Sequence, residues 1–272
     1  MPEVTSRDGI PLAVSTVGDG AGAGAFFVHA TGFCKETWLP VVDRLPGVRA
    51  TLLDQRGHGA SGTPQPPFDW WDLGADVLEV LGDATDRPIG VGHSSGGAAV
   101  AMAEITRRGT FSALVLIEPI ILPPPFVRGE DNPLTMQALR RRHHFESVDS
   151  AFESFHGRGP FARWTDESLR LYVEHGTVES ADGGRTLACP PEIEAGFYRA
   201  ATAHGAWDRL GEIGCPVTVV VGEHSDSHTP EFGVSLTSRF RNAELRTIEG
   251  ATHFVPMENP DAVADAVHDA LT

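Results

Sequence analysis

A G-H-S-S-G motif at residues 92–96 constrains the fold of this chain more than any other feature of the sequence. It follows the apolar run 89–91 and precedes the small-residue run 97–103, so it stands between a predicted buried strand and a predicted helix. A serine at such a sharp turn takes up a strained backbone conformation, and only small residues fit two positions before and after it. The motif predicts that Ser94 sits at the top of a sheet, at the N-terminus of a helix.

Short apolar runs alternate with helical segments along most of the chain. This alternation predicts an α/β fold with a mostly parallel, doubly wound sheet that helices cover on both faces. Two short strands at 4–6 and 11–17 are expected to form a hairpin around Asp8-Gly9. The buried strands are expected at 25–28, 50–53, 89–91, 113–117, 217–221 and 244–248.

The alternation stops between residues 120 and 206. Helical spacing of apolar residues continues there at 134–155, 166–175 and 192–204, and no obvious strand pattern interrupts it. We therefore predict a core formed by 1–119 and 207–272, with 120–206 as an inserted helical cap. The length of 272 residues fits one α/β domain enlarged in this way.

The net charge restricts the binding partners of the protein, and the cysteine residues indicate its cellular compartment. A formal charge of −16 disfavours nucleic acid and anionic membranes as partners. Cys34, Cys189 and Cys215 have neither the spacing of a zinc site nor that of a disulfide framework, which favours a reducing compartment. The N-terminus has no signal-peptide pattern and no run of 18 apolar residues occurs. We expect a cytoplasmic protein, and self-association stays open.

Four stretches carry a resemblance to a known family. They are H-A-T-G-F at 29–33, D-Q-R-G-H-G at 54–59, the motif at 92–96, and G-A-T-H-F-V-P at 250–256. With them the chain resembles the α/β-hydrolase fold family over nearly its whole length, apart from the predicted cap. The usual glycine after the first histidine is Ala30 here. The resemblance implies an α/β-hydrolase fold and catalysis without a metal or another cofactor.

A catalytic triad is expected around Ser94. A serine hydroxyl is a weak nucleophile at neutral pH, so it needs a histidine base that a carboxylate holds in the right tautomer. Among twelve histidines, His253 lies late in the chain, in a loop after the last predicted strand, as the order serine, acid, histidine requires. Through the resemblance, the backbone amides of Thr31 and Ser95 are expected to form the oxyanion hole.

Two carboxylates compete for the role of the triad acid. Members of the family most often carry the acid at the third position past the glycine that ends the strand 217–221, but this chain has Ser225 there, with Asp226 one residue later. Haloalkane dehalogenases and lactonases of the zearalenone-hydrolase type carry it after the strand that follows the nucleophile helix. Glu118 occupies that place, 24 residues after Ser94, where a buried charge is costly unless it is used or paired. We favour Glu118 and keep Asp226 as the alternative.

The expected activity is hydrolysis of a small carboxylic ester or lactone through a covalent acyl-enzyme on Ser94. A serine rather than an aspartate at this position disfavours dehalogenase and epoxide hydrolase activity. The alternatives are hydrolysis of a C–C bond or thioester, cofactor-free perhydrolysis of the haloperoxidase type, a biosynthetic lyase or cyclase, and a ligand receptor. The basic run 140–144 is predicted to be a solvated helix face, and the two histidines of 224–228 are predicted to face solvent rather than bind a metal.

Overall fold

The strands follow the apolar runs of the sequence. The computed structural model describes residues 4–18, 20, 24–83, 85–124, 132–181, 183–201 and 204–272. In chain order the strands are β1 (Val4–Thr5), β2 (Pro11–Leu12), β3 (Val14–Val17), β4 (Gly24–Val28), β5 (Arg49–Leu53), β6 (Ile89–His93), β7 (Leu114–Ile117), β8 (His144–Phe145), β9 (Thr177–Glu179), β10 (Arg185–Leu187), β11 (Val217–Gly222) and β12 (Ala243–Ile248).

The large sheet confirms the predicted fold class. Its strand order is β12-β11-β7-β6-β4-β5-β3, and every neighbouring pair is parallel except β3 with β5. The predicted N-terminal hairpin is present in β1 and β2, but the predicted strand 11–17 is divided, because β3 leaves the hairpin and pairs with β5. Strand β6 lies between β4 and β7, so the turn after it opens in the middle of the sheet.

Helices cover both faces of the sheet. They are α1 (Leu39–Val42), α2 (Trp70–Leu81), α3 (Ser95–Thr106), α4 (Pro133–Arg140), α5 (Val148–Phe155), α6 (Asp166–His175), α7 (Pro191–Ala200), α8 (Pro230–Thr237), α9 (Val255–Glu258) and α10 (Pro260–Leu271). Successive strand side chains point to opposite faces, so Phe26 packs with α2 and α3 while Phe27 packs with α1 and α10. Every residue of α3 from Ser95 to Ile105 is buried, which fixes this helix rigidly behind β6.

The segment between β7 and β11 differs from the sequence-based expectation. Strands β8, β9 and β10 form an antiparallel sheet in the order β8-β10-β9, so the expectation of an uninterrupted helical segment was wrong. Each of these strands has only two or three residues, too few to show an alternating pattern. The predicted helix over 134–155 is also broken, because α4 ends at Arg140 and α5 begins at Val148. The division into a core and a cap stays a prediction.

The turn between β6 and α3 depends on close backbone contact. A Cβ on Gly92 would overlap the carbonyl oxygen of Gly96. A Cβ on Gly96 would overlap the carbonyl oxygen of Val28 and lie 2.6 Å from that of His29. Backbone atoms cannot move away as the end of a flexible side chain can, so both positions require glycine.

We expect Gly96→Ala to lower the free energy of unfolding by about 1–3 kcal/mol or more, as other overpacked sites do. Gly214 is the matched control, because a Cβ there meets nothing within 4 Å. Urea unfolding of both variants measures the difference. An equal effect of Gly96→Ala and Gly214→Ala would contradict the role of close contact at the turn.

Candidate active site

Ser94 occupies the turn between β6 and α3 in a strained conformation. Its φ is 55° and its ψ is −113°, which lies outside the regions that non-glycine residues favour. The backbone holds it there, because the Ser94 amide donates to the Ile117 carbonyl at 2.9 Å and the Ser94 carbonyl accepts from Ile120 at 3.1 Å. Strain of this kind concentrates at functional sites. Within the described residues, the Ser94 hydroxyl makes no hydrogen bond, so it is free to approach another group.

Glu118 lies directly after β7, next to Ser94, and has a left-handed backbone with φ of 49°. Its side chain is fully buried. The Oε1 atom accepts from the Gly222 amide at 2.8 Å, and Oε2 accepts from the Ser225 hydroxyl at 2.6 Å. Burial acts to raise the pKa of Glu118, but hydrogen bonds from His228 and His253 outweigh it and hold the pKa well below its usual range. The carboxyl group is therefore ionised at neutral pH.

His253 follows β12 and contacts Glu118 directly. Its Nδ1 atom lies 3.0 Å from Glu118 Oε2, so an ionised carboxylate keeps the proton on Nδ1 and leaves the lone pair on Nε2. The His253 carbonyl accepts a hydrogen bond from His93 Nε2 at 2.9 Å. This bond ties the histidine loop to the residue before Ser94. The side chain is 17 % exposed, whereas Glu118 beneath it is fully buried.

The other predicted acid lies elsewhere. Asp226 is exposed, and its carboxylate makes no hydrogen bond or ion pair with the described residues. The residue before it, Ser225, stands at the position where the family most often has the acid, and its hydroxyl donates to Glu118. The structure thus brings Glu118, and not Asp226, into contact with His253.

The two predicted oxyanion donors lie on neighbouring turns. Thr31 is buried in the turn after β4, and Ser95 is the first residue of α3, whose amide has no partner within the helix. The Gln55 side chain joins the two turns, because its Nε2 donates to the His29 carbonyl and, at 3.0 Å, to Ser95 Oγ. Neither the Thr31 nor the Ser95 amide donates a hydrogen bond to any described residue. Gln55 lies in the D-Q-R-G-H-G stretch, but nothing in the sequence indicated this bridging contact.

Two further histidines near the site, His29 and His93, are neutral and form hydrogen bonds with neighbouring loops. His29 Nδ1 donates to the Ala30 carbonyl at 2.7 Å, and His29 Nε2 accepts from the Gln55 amide at 3.1 Å, so its tautomer is fixed. His93 donates through Nε2 to the His253 carbonyl. Burial lowers the pKa of both imidazoles to about 3.

These buried histidines predict a loss of stability in mild acid. An unfolded histidine binds a proton near pH 6.5, whereas His29 and His93 bind one only near pH 3, so unfolding takes up protons between these values. Stability is therefore full above about pH 6.5 and falls as the pH decreases. From pH 7.5 to 5.5 each histidine contributes a loss of about 1.4 kcal/mol.

Urea unfolding at several pH values measures this effect. His29→Gln should remove about 1.4 kcal/mol of the difference between pH 7.5 and 5.5. His268 on α10 is exposed and serves as the control, since His268→Gln should leave the difference unchanged. An unfolding free energy that stays constant between these pH values would show that the buried histidines are not neutral.

His228 was missed by sequence reasoning. The sequence predicted solvent-facing histidines in the segment 224–228, and His224 is exposed, but His228 is fully buried. Its Nδ1 atom lies 2.8 Å from Glu118 Oε2. Ligand atoms of Glu118, His228 and His253 all lie within 4.8 Å of one another, and these are donors that zinc also uses.

The position of Arg141 also differs from the one predicted from the sequence. It was expected on a solvated helix face, but it follows the end of α4 and its side chain is only 18 % exposed. Its guanidinium donates to Glu194 Oε2 at 2.8 Å and to the Tyr172 hydroxyl at 2.8 Å. A Cβ on Gly32 would lie 2.9 Å from Glu194 Oε1, so this ion pair packs on the turn that carries Thr31. The segment between β7 and β11 thereby places charged groups beside the predicted oxyanion hole.

An apolar cluster covers the other side of the site. Phe33, which follows that turn, contacts the rings of Trp164, Tyr172 and Phe254 at centroid distances of 5.1, 5.5 and 6.1 Å. Ser94 itself is 8 % exposed.

Comparison with known proteins identifies the family. The sequence profile of the alpha/beta hydrolase family matches residues 25–266, so the protein belongs to that family. Over 216 residues it is 28 % identical to the abhydrolase domain-containing protein ACTT2 of Alternaria alternata, a match that covers 66 % of this chain and 81 % of that protein.

Two further similarities extend over most of the chain. Over 261 residues the protein is 27 % identical to the 2-(acetamidomethylene)succinate hydrolase of Mesorhizobium japonicum, covering 91 % of this chain and 87 % of the relative. The crystal structure of an E-2-(acetamidomethylene)succinate hydrolase superposes with a TM-score of 0.84 at 22 % identity, covering 96 % and 95 % of the two chains. In the described part of the protein, no helix is both long and apolar enough to cross a membrane.

Proposed function

We propose that this member of the alpha/beta hydrolase family is a serine hydrolase that cleaves a small carboxylic ester or lactone. The observation that carries the proposal is the 3.0 Å contact between His253 Nδ1 and the buried carboxylate of Glu118, beside a serine strained into the turn after β6. An ionised Glu118 fixes the His253 tautomer that leaves Nε2 free to take a proton.

In this mechanism Ser94 Oγ attacks the carbonyl carbon while His253 Nε2 takes the hydroxyl proton. Glu118 stabilises the imidazolium that forms. The amides of Thr31 and Ser95 bind the developing oxyanion, and loss of such a donor typically costs about 3–4 kcal/mol in the transition state. His253 then gives the proton to the leaving alkoxide, and an acyl group remains on Ser94. A water molecule, deprotonated by the same histidine, releases the acid and restores the serine.

Amide hydrolysis is the second candidate. The relative from Mesorhizobium japonicum, at 27 % identity over most of this chain, is named for hydrolysis of an acetamido compound. The same triad steps would cleave a C–N bond if the leaving amine is protonated by His253. The Arg141–Glu194 ion pair, which packs on Gly32 in the turn that carries Thr31, supports a substrate with a polar group.

Multiple turnover against matched substrates tests the proposal. The panel pairs p-nitrophenyl esters and lactones with amides of the same acyl groups, and adds thioesters, C–C hydrolase substrates and peracid formation. We expect turnover of esters or lactones, with amide turnover favouring the second candidate. Covalent labelling of Ser94 without turnover on any substrate would favour a receptor.

The proposed partner is a small-molecule substrate, without a nucleic acid, a membrane or a cofactor. We also propose a reducing compartment such as the cytoplasm. The free, buried state of Cys34, Cys189 and Cys215 supports it.

A further inference from the structure

The turn after β4 must hold the Thr31 amide in place if that amide is to bind an oxyanion. The Phe33 amide closes the turn by donating to the Ala30 carbonyl at 3.2 Å, and Gly32 has a left-handed backbone with φ of 87°. Across the described part of the chain, this is the only hydrogen bond between backbone groups that involves residues 30–33. The direction of the Thr31 amide therefore depends on the groups that pack around the turn.

The core holds the beginning of the turn. The Gln55 side chain donates to the His29 carbonyl and to Ser95 Oγ, so the chain just before the turn is fixed relative to α3. This contact acts two positions before Thr31. It leaves the positions after Thr31 to other neighbours.

The segment between β7 and β11 holds Gly32. Glu194 on α7 lies so close that a Cβ on Gly32 would be 2.9 Å from Glu194 Oε1 and 3.7 Å from Arg141 Nη1. The carboxylate is itself fixed, because Oε2 accepts from Arg141 Nη1 at 2.8 Å and Oε1 accepts from the Tyr198 hydroxyl at 3.2 Å. Glu194 is buried, so the ion pair is largely shielded from water.

The same arginine reaches Phe33 through Tyr172. Arg141 Nη2 donates to the Tyr172 hydroxyl at 2.8 Å, and the buried Tyr172 ring packs edge-on against Phe33 with centroids 5.5 Å apart. A guanidinium presents its nitrogens in a rigid plane, whereas a lysine ammonium acts as a point charge. Arg141 thus joins the contact on Gly32 to the contact on Phe33.

We infer that Arg141 and Glu194 are positioning residues, which hold the turn after β4 so that the Thr31 amide points to the oxyanion. They act through Gly32 and Phe33 and need not touch the substrate. The catalytic consequence rests on the proposed function, but the hold on the turn can be measured without any activity.

Loosening the turn should slow the chemical steps rather than weaken substrate binding. A donor in an oxyanion hole is effective because it is already aligned when charge develops, and a displacement of about 1 Å can cost about 100-fold in rate. Formation and hydrolysis of the acyl-enzyme both pass through an oxyanion, so both steps should slow together. We therefore expect a lower kcat with an unchanged KM.

The test variant must remove both charges of the pair. Replacement of one partner alone would leave the other charge buried and unpaired, which destabilises the fold for reasons unrelated to Thr31. Arg141→Met combined with Glu194→Gln removes the ion pair and keeps the approximate volume of both side chains. Tyr172→Phe is the milder second variant, because it keeps the ring on Phe33 and removes only the hydroxyl that Arg141 binds.

A second ion pair of the same segment provides the control. Arg170 on α6 donates to Asp149 on α5 at 2.7 Å, and neither has a described contact with residues 30–33. Arg170→Met combined with Asp149→Asn therefore removes an arginine–carboxylate pair from this segment without changing the surroundings of the turn.

Steady-state hydrolysis of p-nitrophenyl acetate gives the kinetic test, because the acetyl group is too small to make a further polar contact. We expect kcat to fall by about 10- to 100-fold in the double variant and by about three- to tenfold in Tyr172→Phe, with KM changed by less than about twofold. The control variant should match the wild type.

Two kinetic results would overturn the inference. One is an unchanged kcat in the folded double variant, or in Tyr172→Phe should the double variant not fold. The other is a raised KM at an unchanged kcat, which is expected if the pair only contacts the substrate.

Hydrogen exchange measured by mass spectrometry tests the hold on the turn directly. Amides in the peptide that contains residues 29–36 should exchange faster in the double variant and in Tyr172→Phe than in the wild type, and at the wild-type rate in the control. Equal exchange in all these proteins would overturn the inference. If the wild type hydrolysed no substrate, the proposed function would fail, whereas the exchange rates would still decide whether the pair holds the turn.

Discussion

Ser94→Ala is expected to lower kcat for any ester the protein hydrolyses by about 10⁴–10⁶-fold, as loss of the nucleophile does in other serine hydrolases. The substitution removes the attacking oxygen but leaves the amides of Thr31 and Ser95 in place, so residual catalysis would come from oxyanion binding alone. Release of p-nitrophenolate from an ester of the panel gives the rate.

The control for this substitution is Ser235→Ala, which removes the hydroxyl of an exposed serine on α8. It should leave kcat unchanged. Most of the wild-type activity in a folded Ser94→Ala protein would contradict the acyl-enzyme mechanism.

The second large effect is expected at the triad acid. Glu118→Gln keeps the size of the side chain but removes the charge that stabilises the imidazolium of His253, so we expect kcat to fall by about 10³–10⁴-fold. Asp226→Asn changes an exposed side chain without a described partner and should alter kcat by no more than about twofold. Steady-state kinetics of the two variants, with melting curves to verify folding, measure the ranking.

A larger loss of kcat in Asp226→Asn than in Glu118→Gln would identify Asp226 as the triad acid. Comparable losses from both substitutions would mean that the two carboxylates act together. The double mutant would then show it by a departure from additivity.

The sequence predicts the parts of this molecule that depend on local pattern. The strand–serine–helix order of 89–106 places Ser94 at the middle of the sheet, because a buried apolar run and a run of small residues leave few other arrangements. The position of Glu118 at the end of a buried strand follows from the same kind of pattern. The contact between Glu118 and His253 cannot be predicted from such a pattern, because the two residues are 135 positions apart in sequence.

Features that depend on tertiary contacts cannot be predicted from local sequence patterns. Strand β10 pairs with β8, which lies about 40 residues earlier in the sequence, and with β9. Its three residues are too few to show the alternating pattern by which a strand is predicted. Arg141 belongs to a basic run that is typical of a solvated face, yet α4 ends just before it and the side chain turns inward to Glu194. His228 looks like one of two loop histidines until the fold brings it against Glu118.

Covalent labelling with a fluorophosphonate, followed by mass spectrometry of the digested protein, tests the central claim most directly. The arrangement of Ser94, His253 and Glu118 predicts one phosphonyl group per chain, attached to Ser94, and a much slower reaction in Glu118→Gln. A folded protein that gains no phosphonyl group between pH 6 and 9, or gains it on a residue other than Ser94, would contradict the claim that this serine is an activated nucleophile.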